Sequence, residues 1–161
     1  MEPWASDYDL KAAFVYSIVS FIEWPPGVLS DRIVVGFAGE GPMANAMGKL
    51  FVGKRVGSRP IEVREAHTRN EMRACNVLLL AYPDRSRMKE ALMQVRGTMV
   101  LTVGDGEPFT KYGGIITFVP HNNTFRLAIN PQAAERSHLK ISSKLMSIAT
   151  VVSDDESATR E

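Results

Sequence analysis

The 161-residue sequence predicts one three-layer α/β domain, with a mostly parallel central sheet, flanking helices and a C-terminal antiparallel hairpin. Three observations predict it. Apolar runs at residues 32–38, 61–64 and 77–82 are separated by helical or amphipathic stretches, which implies crossover connections and parallel strands. Two alternating runs then follow each other closely, joined by Pro120-His121-Asn122-Asn123, as in a hairpin. The length and the 45% apolar content suit a single core that needs no disulfide or metal to hold it.

At the N-terminus, Asp7 or Asp9 caps a helix whose body is residues 10–22, and Trp24-Pro25-Pro26 stops it. Leu10, Phe14, Ile18 and Phe21 line one face, while Ala13, Val15, Val19 and Ile22 make most of the circumference apolar. Such a helix needs cover on nearly all sides. Either it lies at the centre of the core, or its second face packs on another chain, with Val15, Val19, Ile22 and Trp24 as partner or dimer contacts. The uncharged stretch 12–22 is shorter than the roughly 20 residues that span a bilayer. Acidic Glu2, Asp7 and Asp9 precede it, so it does not read as a signal peptide, and the chain reads as mature or trimmed.

After the first strand, residues 42–51 form a helix with Met43, Ala46, Met47 and Leu50 on one face. After the third, residues 84–95 form another with Met88, Ala91, Leu92 and Val95 facing inward. Residues 98–103 add a fourth strand to the parallel series, and 113–119 with 124–129 make the hairpin. Asn130-Pro131 places a capping side chain before a proline at the first helical position and opens a short helix to Ser137. A second helix covers 142–151. Residues 1–9 are expected to be an N-terminal extension, 10–152 the domain and 153–161 a polar flexible tail.

Charge and motifs exclude several functions. With 19 Lys and Arg against 18 Asp and Glu, the formal charge is +1, which gives no electrostatic pull toward nucleic acid. The single Cys75 excludes an internal disulfide or a multi-cysteine zinc site and reads as a small buried hydrophobe at a strand start. His67, His121 and His138 lack ligand spacing, so no metal or cofactor is expected. The Gly36-Phe37-Ala38-Gly39-Glu40-Gly41 loop lacks the spacing of a dinucleotide or phosphate loop, and Glu40 repels an anion, so it reads as a tight turn. Ser137-His138-Leu139-Lys140 matches S-x-x-K, but the chain order is wrong for serine acylation. Asp105-Gly106-Glu107 reads as a solvated turn, which leaves no catalytic residue to name. One constellation remains: Lys140 with the Ser142-Ser143 helix start suits a small acidic ligand, and Lys111 and Tyr112 are candidates to close over it.

Several segments in one order resemble the YfiR-like family, from Lys11-Ala12-Ala13-Phe14 and Phe21-Ile22-Glu23-Trp24-Pro25 at the start to Leu139-Lys140-Ile141-Ser142-Ser143-Lys144-Leu145 near the end. Between them lie Ile33-Val34-Val35-Gly36, Leu101-Thr102-Val103, Gly113-Gly114-Ile115-Ile116-Thr117-Phe118, Phe125-Arg126-Leu127-Ala128-Ile129-Asn130 and Ala133-Ala134. The resemblance implies a non-enzymatic periplasmic protein that restrains a membrane-bound diguanylate cyclase by binding its periplasmic sensor domain, lowering cyclic di-GMP signalling and biofilm formation. It also implies a homodimer. Better-known members carry disulfide cysteines, from which the lone Cys75 departs. The competing expectation is a periplasmic module that senses an amino acid or organic anion.

Overall fold

The computed structural model describes residues 7–39, 41–106 and 108–153. Glu40, Glu107, residues 1–6 and residues 154–161 lie outside them, and with them part of two expected turns and most of the expected extension and tail. The elements run α1 (Asp7–Val19), β1 (Ile22–Glu23), β2 (Ile33–Gly39), α2 (Pro42–Phe51), β3 (Arg55–Val56), β4 (Arg59–Glu65), α3 (Arg69–Arg73) and β5 (Val77–Ala81). They continue as α4 (Arg85–Val95), β6 (Leu101–Asp105), α5 (Pro108–Lys111), β7 (Ile116–His121), β8 (Thr124–Ile129), α6 (Pro131–Arg136), β9 (Lys140–Ile141), α7 (Ser143–Ile148) and β10 (Thr150–Val151).

Among the described residues, eight strands form one sheet in the order β10-β8-β7-β6-β5-β2-β4-β3. β4, β2, β5, β6 and β7 run parallel, as the strand and helix alternation predicts. β7 and β8 form the antiparallel hairpin, with His121 opposite Thr124. Asn122 and Asn123 both take positive φ, 45° and 64°, which matches the right-handed strand twist and suits asparagine better than most residues. The central strands bury both faces, hence their unbroken apolar runs. Val77 and Leu79 of β5 join the core under α1 and α2, while Leu78 and Leu80 join a second core with Met72 of α3 and Met88, Leu92 and Val95 of α4.

The caps fall where the side chains demand. Asp84 accepts the Arg87 N–H at the start of α4, and Asn130 accepts the Ala133 N–H at 3.1 Å at the start of α6. Asn130 is fully buried and its amide also donates to the Thr110 carbonyl at 2.8 Å, which ties α6 to the end of α5.

Several boundaries differ from expectation. α1 ends at Val19 and not at Ile22, because Ile22 and Glu23 leave the helix to pair with Ile141 and Lys140 of β9. The last helix stops at Ile148, after which Thr150 and Val151 extend the sheet beside β8. β6 begins at Leu101, since Thr98 folds back on the Val95 carbonyl at the end of α4. α3, α5 and the two-residue strands are too short to show a period in sequence.

Val15, Val19, Ile22 and Trp24 also require correction as partner or dimer contacts. Their exposures are 0, 2, 8 and 7%, and the Trp24 indole donates to the Met99 carbonyl at 3.1 Å. All four belong to the protomer's own core. The apolar residues that α1 leaves to solvent are others.

Candidate functional site

α1 is apolar nearly all round, and the sheet and α2 together cover only part of it. Ala12, Val15, Ile18 and Val19 face the core, and Tyr8, Leu10, Phe14 and Phe21 remain 36–41% exposed. Leu10 and Phe14 are one turn apart, and Phe21 follows in the turn that closes the helix on the Ile18 carbonyl. Phe14 meets Phe125 of β8 edge-on at 5.3 Å, and Phe125 meets Phe118 of β7 the same way at 5.1 Å. Phe14 is therefore rooted in the hairpin through Phe125.

The C-terminal end of this stripe adjoins the Lys140 to Ser143 corner. The Ser142 N–H donates to the Phe21 carbonyl at 2.9 Å, and β1 pairs with β9 so that Glu23 stands opposite Lys140. The Ser142 hydroxyl accepts the Lys144 N–H, and Ser143 is exposed on the first turn of α7. Lys140 thus already has a carboxylate as its cross-strand neighbour. Lys111 and Tyr112 are elsewhere, beyond the end of β6. Tyr112 has its ring 5.0 Å from the Lys89 ammonium and lines a 30 Å³ cavity with Thr102, Arg136 and Ser137, a cavity that Lys140, Ser142 and Ser143 do not line. The five expected ligand contacts form two separate groups.

A second feature was not legible in the sequence. β2 leads through α2 to β4 on one side, while β5 leads through α4 to β6 on the other, so the chain reverses its winding between β2 and β5. Such a switch point opens a crevice at the carboxyl ends of parallel strands. Here it is a cleft of about 390 Å³ lined by Tyr8, Pro42, Met43, Leu79, Tyr82 and Asp105. Behind Asp105 lies Lys11, whose ammonium is 3.0 Å from both Asp105 carboxylate oxygens and from Asp7. The rings of Tyr8, Phe125 and Phe118 surround it at 5.5, 5.6 and 6.0 Å. This cluster pins the first turns of α1 to the end of β6. A lone lysine between Leu10 and Ala12 was the available signal. Among the described residues, no three His, Cys, Asp or Glu side chains gather as a metal ion requires, and no helix is long and apolar enough to cross a membrane.

No curated protein matches the sequence. Two solved structures share the fold. The ABC domain in complex with L-Trp from Streptococcus pneumoniae superposes with a TM-score of 0.57 at 8% identity, over 91% of this chain and 60% of that one. A conserved domain protein from Vibrio cholerae O1 biovar El Tor superposes with a TM-score of 0.61 at 13% identity, also over 91% of this chain and 60% of that one. The chain thus spans about 60% of the length of either, and at these identities the likeness is one of fold. The YfiR/HmsC-like family model matches residues 8–150, from the first turn of α1 to β10, and the chain belongs to this family.

Proposed function

We propose that the protein represses a membrane-bound diguanylate cyclase by binding its periplasmic sensor domain, and so lowers cyclic di-GMP and biofilm formation. It acts in the periplasm as a homodimer. The observation that carries the reading is the α1 stripe: Leu10, Phe14 and Phe21 stay outside the core, with Phe14 held against Phe125, in a chain of the YfiR/HmsC-like family. Aromatic anchors held rigid before contact are what a protein interface uses, because little side-chain freedom is lost on binding. The Lys140 to Ser143 corner beside Phe21 supplies a polar rim to that apolar centre.

The test is to co-express the cyclase with the wild-type protein or with Phe21→Asp and to quantify cyclic di-GMP by mass spectrometry. The wild type lowers the nucleotide, and the variant, present at equal abundance, leaves it high. Full repression by Phe21→Asp would reject the α1 stripe as the docking surface.

A second reading, a sensor for an amino acid or organic anion, is favoured by the 390 Å³ cleft at the switch point. The L-Trp carried by one protein of similar fold supports it as an analogy of fold alone. An upward shift in thermal unfolding with one member of an amino-acid and organic-anion panel, abolished by Tyr8→Ala, which alters the switch-point cleft alone, is the expected result. No shift with any member would reject it.

A further inference from the structure

We infer that the cleft between α3 and α4, on the side of the sheet opposite α1, binds a small molecule through an oxyanion, either a carboxylate or a phosphate. The first support is charge. α3 and α4 together hold Arg69, Arg73, Arg85, Arg87 and Lys89 against Glu71 and Glu90, a net of +3 in two short helices of a chain whose formal charge is +1. Of these, Arg69 and Arg87 line the cleft, with Glu90 beside them, while Lys89 lies over the Tyr112 ring and Arg73 donates to the Gln94 carbonyl.

The second support is how the cations are held. Glu71 is engaged as a cap: its carboxylate accepts the N–H groups of His67 and Thr68 at 2.9 and 3.0 Å, while the Thr68 hydroxyl accepts the Glu71 N–H at 3.1 Å. That capping box fixes the backbone on which His67 and Arg69 stand. Arg87 is oriented by Asp84, which accepts its Nε–H at 2.6 Å and its backbone N–H at 3.1 Å, and its guanidinium sits 5.6 Å from the centre of the Tyr82 ring. A planar guanidinium held in one orientation suits two-point recognition of a carboxylate or phosphate.

The third support is the cavity itself. It measures about 240 Å³ and is lined by His67, Arg69, Tyr82, Arg87, Glu90 and Gln94, with the buried Met72 and Ala91 giving it an apolar portion. That volume takes a compact molecule and not the helix or strand of a partner. Glu90 opposes a second negative group, so the fitting ligand carries one oxyanion on a small apolar or amine-bearing body. The inference is independent of the docking role given to α1.

Two probes test it, benzoate and phenyl phosphate, titrated at constant ionic strength into the whole protein and followed by backbone amide NMR. Saturable shifts centred on residues 67–72 and 87–94 with either probe are expected, and the stronger probe tells carboxylate from phosphate. The double variant Arg69→Ala with Arg87→Ala weakens that binding at least tenfold. If it unfolds, Gln94→Glu, which adds a negative charge to the cleft, serves with the same expectation. Absence of saturable shifts, affinity unchanged in the variant, or shifts centred on Lys140 and Ser142 would overturn the inference. Shifts with an acidic peptide but with neither probe would overturn it in favour of a protein partner.

Discussion

Lys11 is the one charged side chain that is buried among the described residues, and it has a measurable part in the fold. Burial pushes its pKa down, but the hydrogen bonds and charges of Asp105 and Asp7 more than reverse this, so it sits above its usual 10.5. Removing one member of a fully buried pair costs about 3–5 kcal/mol. Asp105 is one-third exposed and Asp7 more than half, so solvent screening reduces the expected cost of Lys11→Met to about 1–2 kcal/mol. A raised lysine pKa means that the folded state holds the proton more tightly, so the contribution is complete below pH 10.5 and lost as pH rises through the folded value. Urea unfolding of wild type and variant should differ equally at pH 7 and 9 and converge above pH 10.5. A gap that ignores pH would assign the loss to packing. Lys11 was not legible as a structural ion because its partner Asp105 lies 94 positions away and its own neighbours read only as an apolar helix. Cys75, by contrast, was legible as a buried hydrophobe: it is 3% exposed, and burial pushes its thiol up to about 11. A thiol reagent at pH 8 should label it only in denaturant, and labelling of the native protein at the rate of a free thiol would contradict this burial.

Among the elements, those with strong local chemistry were readable: the paired asparagines of the hairpin, the Asn130 cap, and the apolar faces of α2 and α4. Those that depend on distant partners were not. β1 and β9 exist only because they pair with each other, and β10 only because β8 offers an edge. α5 belongs to the same class. Its Phe109 ring lies against Gly104 of β6 and Gly114 before β7, where an added methyl group at either glycine would overlap the ring. The double glycine that leads into the hairpin is thus needed for close approach as well as for turning the chain. Gly114→Ala should destabilise by about 1–3 kcal/mol, because Phe109 is 1% exposed and has no room to retreat. Thermal unfolding checks it, and an unchanged midpoint would mean that α5 moves freely.

At the scale of the whole molecule, the two sides of the sheet divide the surface into distinct chemistries. One side carries α1 with its exposed aromatic stripe, and the other carries the basic α3 and α4 pair. The fold class was legible because strand and helix alternate so regularly. The proposed docking surface was half legible: α1 stood out as too apolar for one covered face, but its helical period alone did not say which stripe would be buried. Val15 and Val19 went inside, and Leu10 and Phe14 stayed out. That division is tested directly by equilibrium binding between the purified protein and the purified periplasmic domain of the cyclase. A saturable complex is expected, which Phe21→Asp weakens at least tenfold, about 1.4 kcal/mol, while Lys111→Ala on the other side leaves it unchanged. Equal affinity for wild type and Phe21→Asp, with both proteins folded, would contradict it.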